Sequence, residues 1–110
     1  MKTLPELERQ IEFTNVVIDT MIDGIAVCHE IVQPPHVQFT VWNPAMETLT
    51  GFSMDEINRL GWYQTVYIDP RVQEEARQRM DRMRLGDDLV REEWIITRKD
   101  GSRRTVEIST

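Results

Sequence analysis

An α+β fold is predicted here: one antiparallel sheet with helices packed on one face, preceded by an N-terminal amphipathic helix. Three observations predict it. Apolar and polar residues alternate from His36 to Trp42, two helix-start signals follow back to back between Asn43 and Glu56, and Asp100-Gly101 joins two later runs as a hairpin. The order of elements is therefore strand, strand, three helices, strand, strand. At 110 residues the chain is one domain. We divide it into the helix at 1–20 and the body at 21–110.

Thr3 and Glu6 form a capping box that tolerates Pro5 in the first turn, and the helix they open runs to about Thr20. Leu4, Leu7, Ile11 and Ile18 make one apolar stripe, and Phe13, Val17 and Met21 a second. Two stripes suggest two contacts, one with the domain body and one with a second copy of the chain, which predicts a homodimer. The plainer alternative is a single broad face docked on the chain's own sheet.

Asp23-Gly24 breaks that helix, and the first strand runs Ile25–Val32. Pro34-Pro35 forces a connection to the second strand, His36–Trp42, whose Val37, Phe39 and Val41 share the expected buried face. Asn43 caps a short helix with Pro44 at its first position, and Gly51 stops it in a left-handed turn. Ser53 and Glu56 form the capping box of the next helix, with Phe52 and Ile57 as a hydrophobic staple across it. The stretch from Arg59 to Tyr67 reads as aromatic and irregular. Asp69 and Pro70 start a long helix with Val72, Ala76, Met80 and Met83 on its buried side, Glu75 and Arg79 paired outside, and Gly86 at its end. Leu89–Lys99 and Ser102–Thr110 are the final strands, with Trp94 and Ile96 on one face, as are Val106 and Ile108. Asp100-Gly101 is the dipeptide preferred in tight primed turns.

Composition excludes several classes. A net charge of −6 argues against a nucleic-acid or anionic-membrane binder, and the arginines between Arg71 and Arg91 are interleaved with acids. A single cysteine excludes an internal disulfide framework and fits a reducing, cytoplasmic compartment. No apolar run approaches membrane-spanning length, so no direct membrane contact is expected of this chain, although a larger parent could be anchored elsewhere.

Catalytic chemistry finds little footing. Cys28 and His29 alternate across a strand, so neither serves the other as nucleophile and base. His29 and His36 lack the further ligands a zinc site needs. Glu92 and Glu93 also alternate, and no glycine-rich phosphate loop exists. What remains is a space between sheet and helices. Its walls would be Val27, Phe39, Val41, Trp94, Ile96, Val106 and Ile108 from the strands, and Met46, Leu49, Leu60, Trp62 and Met80 from the helical side. Such walls suit a small apolar ligand, and equally an ordinary filled core.

The segment WNPAMETLTGFSMDEI (residues 42–57) closely resembles the N-x-A-x-x-x-L-x-G-[YF]-S-x-x-E pattern of PAS sensory domains. Asp23-Gly24-Ile25 is similar to that family's first-strand entry, and Arg98-Lys99-Asp100-Gly101-Ser102 to its later hairpin. The resemblance implies a cytoplasmic sensory domain of a bacterial signalling protein, working with a downstream output domain such as a histidine kinase or diguanylate cyclase. It implies that the chain itself is not an enzyme. The alternative is a constitutive dimerisation module with a filled core.

The resemblance also bears on cofactors. Haem-binding relatives carry a histidine on the long helix, and this chain has none after His36; flavin photoreceptors carry a cysteine where Gln64 stands. Neither haem nor a flavin photoadduct is expected, nor a metal. Finally, the family's sheet has five strands, the last lying between the first and fourth. This sequence stops at Thr110, where the fourth should finish, which implies a missing central strand. Direct closure, a strand from a second molecule or a water-filled cleft would each satisfy the exposed backbone, and the intermolecular solution is the one expected.

Overall fold

The computed structural model describes residues 17–19 and 22–110. Leu4, Leu7 and Ile11, with most of the expected N-terminal helix, lie outside the described residues; residues 17–19 are helical. The remaining elements are β1 (Ala26–Glu30), β2 (Val37–Trp42), α1 (Pro44–Thr50), α2 (Met54–Leu60), α3 (Trp62–Val66), α4 (Pro70–Arg84), β3 (Glu92–Thr97) and β4 (Arg103–Ile108). The order matches the α+β expectation, with the aromatic stretch after Arg59 ordered as the short helix α3.

One expectation is corrected. The strands form two separate antiparallel hairpins, β1–β2 and β3–β4, rather than one sheet. No ladder joins β1 to β4 among the described residues, so direct closure across the expected gap does not occur. Every residue of β1 is exposed, which leaves that strand held on one side alone.

The turn between β1 and β2 is closed by Ile31 N–H donating to the His36 carbonyl at 2.8 Å. Between Val27 and Cys28 the ladder slips, with Val27 opposite Val41 but Cys28 opposite Phe39, so Thr40 is a bulged extra residue. A bulge reverses the alternation beyond it. Phe39 and Trp42 therefore share the inner face, their rings 4.9 Å apart and nearly perpendicular. Val41 and Val27 turn outward, and Val27 is 44% exposed, contrary to the simple alternation expected of that strand.

Asn43 is the polar centre of the connection into α1 and is almost fully buried. Its Oδ1 accepts from Ile25 N–H at 2.9 Å and from Met46 N–H at 3.0 Å, while Nδ2 donates to the carbonyls of Asp23 and Ile18. One side chain thus caps α1 and ties it to β1 and to the helical residues before it. Gly51 ends α1 at φ 81°, and Ser53 and Glu56 complete the capping box of α2. A side chain at Gly51 would suffer twice, from the left-handed backbone and from Lys99 Cβ 2.9 Å away.

That contact marks where the second hairpin docks. Arg98 Nε donates to the Leu49 carbonyl at 2.8 Å, its Nη2 to Thr48, and Lys99 N–H to Thr50, so the hairpin tip satisfies carbonyls that α1 leaves open at its C-terminus. The tip itself is a three-residue loop rather than the primed two-residue turn. Arg98 N–H donates to Ser102 at 2.7 Å, and Gly101, alone in the left-handed region, donates to Arg98 at 2.9 Å.

Candidate functional site

The space expected to form a pocket is occupied by rings. Phe39 meets Trp42 and Trp62, Trp42 meets Trp62 at 6.2 Å, Trp62 meets Tyr67 at 6.1 Å, and Tyr67 meets Trp94 at 5.8 Å, all edge to face. This aromatic chain runs from β2 through α3 to β3 and joins the two hairpins. Ile96 is buried beside it, while Met80 and Val106 pack against it from the margin. Burial drives the Tyr67 hydroxyl far above its ordinary range, against an opposing hydrogen bond with Trp62.

Other expected wall residues go elsewhere. Met46 is buried under Gly24, with Leu49 at the same place. Leu60 points outward at 40% exposure, and Val27 and Val41 lie on the outer face of the first hairpin. Ile108 stands opposite Glu92, half-buried at the end of β4. The structure thus gathers Phe39, Trp62, Met80, Trp94, Ile96 and Val106, and separates the rest.

Cys28 and His29 take opposite faces, as alternation requires. His29 Nε2 lies 3.1 Å from Thr40 Oγ1 on the outside. Cys28 is exposed along its strand, yet its thiol faces Tyr63 and Arg84. Burial raises both the thiol and the Tyr63 hydroxyl, and the Arg84 guanidinium, hydrogen-bonded to each, opposes the rise. A raised thiol is the wrong direction for a nucleophile. Among the described residues no group of three or more histidine, cysteine or acidic side chains stands together as a metal would need, and no helix is long and apolar enough to cross a membrane.

Arg79 is the principal residue that sequence reasoning misplaced. It is only 7% exposed and does not pair with Glu75. Its Nε lies 3.0 Å from both Glu92 carboxylate oxygens, and its Nη atoms donate to the carbonyls of Asp87 and Asp88. Glu92 also accepts from Trp94 Nε1 at 3.1 Å. The signal was present: Arg79 falls seven residues after Val72, within the apolar stripe of α4. Asn58 was missed as well. Its Oδ1 accepts from Phe39 N–H at 2.7 Å and its Nδ2 donates to the Phe39 carbonyl at 3.0 Å, which covers the outer edge of β2. An asparagine inside a short helix, next to the buried Ile57, was the available clue.

A groove of about 660 Å³ opens on the other side of the molecule, between the outer edge of β3 and the segment from Val66 to Glu75. Tyr67, Val72 and Trp94 form its apolar floor; Asp69, Glu75 and Glu93 stand around it, with Arg103 at one end. Of the expected wall residues only Trp94 lines it.

No family model matches the chain, and no curated protein matches it either.

Proposed function

We propose that this chain is a PAS-type regulatory domain of a larger signalling protein, acting by holding protein segments rather than by turnover. The sequence resemblance at residues 42–57 motivates the class. One observation carries the mode of action: the aromatic chain from Phe39 to Trp94 fills the space a small ligand would need. Edge-to-face rings add about 0.5–1.5 kcal/mol per pair beyond their buried area, so emptying that space for a ligand carries a substantial penalty. In this reading the output domain of the parent protein senses changes in how the domain is gripped. Dimerisation through Leu4, Leu7, Ile11 and Ile18 is one such grip.

The mode of action is tested on purified protein by denaturing extraction with mass spectrometry and by absorption spectroscopy. The expected result is no stoichiometric small molecule, no Soret band and no flavin absorbance. A one-to-one organic ligand would sink the filled-core reading and restore an enclosed pocket. The dimer is tested by replacing Leu7 and Ile11 together with glutamate. Sedimentation equilibrium should then report a monomer with unchanged circular dichroism, and an unchanged oligomer would move the contact elsewhere.

A further inference from the structure

The outer edge of β3 is an unpaired strand edge set in a groove of its own. The hairpin geometry fixes which groups it presents. Arg98 and Ser102 form the hydrogen-bonded pair that closes the loop, so the bonded pairs along the ladder are Ile96 with Arg104 and Trp94 with Val106. The residues between them, Glu93, Ile95 and Thr97, turn their backbone N–H and C=O groups away from β4. All three line the groove. No partner for those groups exists among the described residues, whereas the corresponding edge of β2 is covered by Asn58.

Three features describe what would fit there. The open backbone groups require a partner with its own strand-like backbone. Ile95 and Ile68, 59% and 66% exposed, flank an apolar floor and favour apolar side chains. Glu75 and Glu93 take no ion pair among the described residues, and Asp69 bonds only the N–H of Arg71 across its own cap. Glu92 is already neutralised by Arg79. The uncompensated charge at the rim is therefore negative, with Arg103 at one end.

We propose that the free edge of β3 is a docking site for an extended, basic protein segment, which adds to the β3–β4 hairpin as a third strand. Alternate side chains of the segment reach the apolar floor, and lysine or arginine on the others meet Glu75, Glu93 and Asp69. Strand addition of this kind draws affinity from backbone hydrogen bonds and selectivity from alternating side chains. A second copy of this chain fits less well, because pairing two β3 edges would bring two copies of the same acidic rim together. The proposal stands on the groove alone and does not require the PAS reading.

The test uses a fluorescently labelled peptide alternating lysine and valine over seven residues, titrated with the protein and followed by anisotropy. Binding is expected, weakening as salt is raised. Two N-methylated versions, each blocking one alternate set of amides, should differ at least about tenfold, since only one set faces β3. An alternating glutamate–valine peptide should not bind. On the protein side, Ile95→Pro removes an N–H that faces away from β4, a substitution edge strands accommodate, and should abolish binding. Glu75→Lys with Glu93→Lys should reverse the charge preference. Equal affinity for both N-methylated peptides overturns strand addition, equal affinity for the acidic peptide overturns charge recognition, and no binding at millimolar protein overturns the site. A concentration-dependent dimer that Ile95→Pro abolishes would assign the edge to a second copy and overturn the peptide proposal.

Discussion

The outer edges of β2 and β3 begin from the same difficulty and end differently. Each is the outer strand of a two-stranded hairpin, and each turns backbone groups away from its only partner. At β2, the Asn58 amide presents one donor and one acceptor in the arrangement of a peptide group and satisfies both backbone groups of Phe39. At β3, the adjacent helix α4 offers Glu75 and Val72 instead, neither of which can do the same. A strand edge is thus closed or left open by a single residue choice on the neighbouring helix. Anchoring differs as well: β3 is fixed at its start by Arg79, while β2 is fixed from Asn43 at its end.

The largest expected effect breaks the anchor of β3. Arg79→Met leaves Glu92 and the Asp87 and Asp88 carbonyls without their shared donor. Breaking a buried ion pair costs about 3–5 kcal/mol, and the partial exposure of Glu92 reduces this to about 3. Urea denaturation should show that loss, and a change under about 1 kcal/mol would mean that the clasp is solvated.

The next effect converts the closed edge into an open one. Asn58→Ala strands the Phe39 N–H and C=O groups, at about 2 kcal/mol for partly buried backbone. Asn58→Asp keeps the acceptor but sets a carboxylate oxygen against the Phe39 carbonyl. That variant should therefore regain stability relative to wild type as pH falls below about 4, where protonation restores a donor. A flat difference across pH would show that the amide does not bridge the edge.

The smallest effect concerns the tip of the second hairpin. A hydrogen bond from Lys99 Nζ, and then one from the Ser53 N–H, hold the Glu56 carboxyl down at about 2 from its ordinary 4.5. Because the folded value is the lower one, the stabilisation is complete above about pH 4.5 and is lost as pH falls through 2. The melting temperatures of wild type and Glu56→Gln should converge between pH 5 and pH 2. Parallel curves would mean that Lys99 does not hold the carboxylate in solution.

Local chemistry carried much of this architecture into the sequence. The caps at Asn43, Ser53 and Asp69 and the stop at Gly51 were all legible, because each is decided within four residues. The faces of β2 were not, since one bulged residue at Thr40 exchanges Val41 for Trp42 on the inside. Arg79 and Arg98 were illegible for a related reason. Their partners are carbonyls 8 to 50 residues away, and no pattern in the chain announces a carbonyl acceptor. The same holds for the expected pocket. Composition named aromatic walls correctly in part, and could not say that the walls touch.

All three tryptophans of the chain belong to that ring series. Their indole nitrogens have separate partners: Trp42 donates to the Phe52 carbonyl, Trp94 to Glu92, and Trp62 faces Tyr67. Intrinsic fluorescence therefore arises from one connected assembly that spans both hairpins. Excitation absorbed at Trp94 or Trp62 can migrate along it, and the emission reports the weakest junction. A red shift on mild denaturation, ahead of the loss of helical circular dichroism, would register separation of the hairpins before either one unravels.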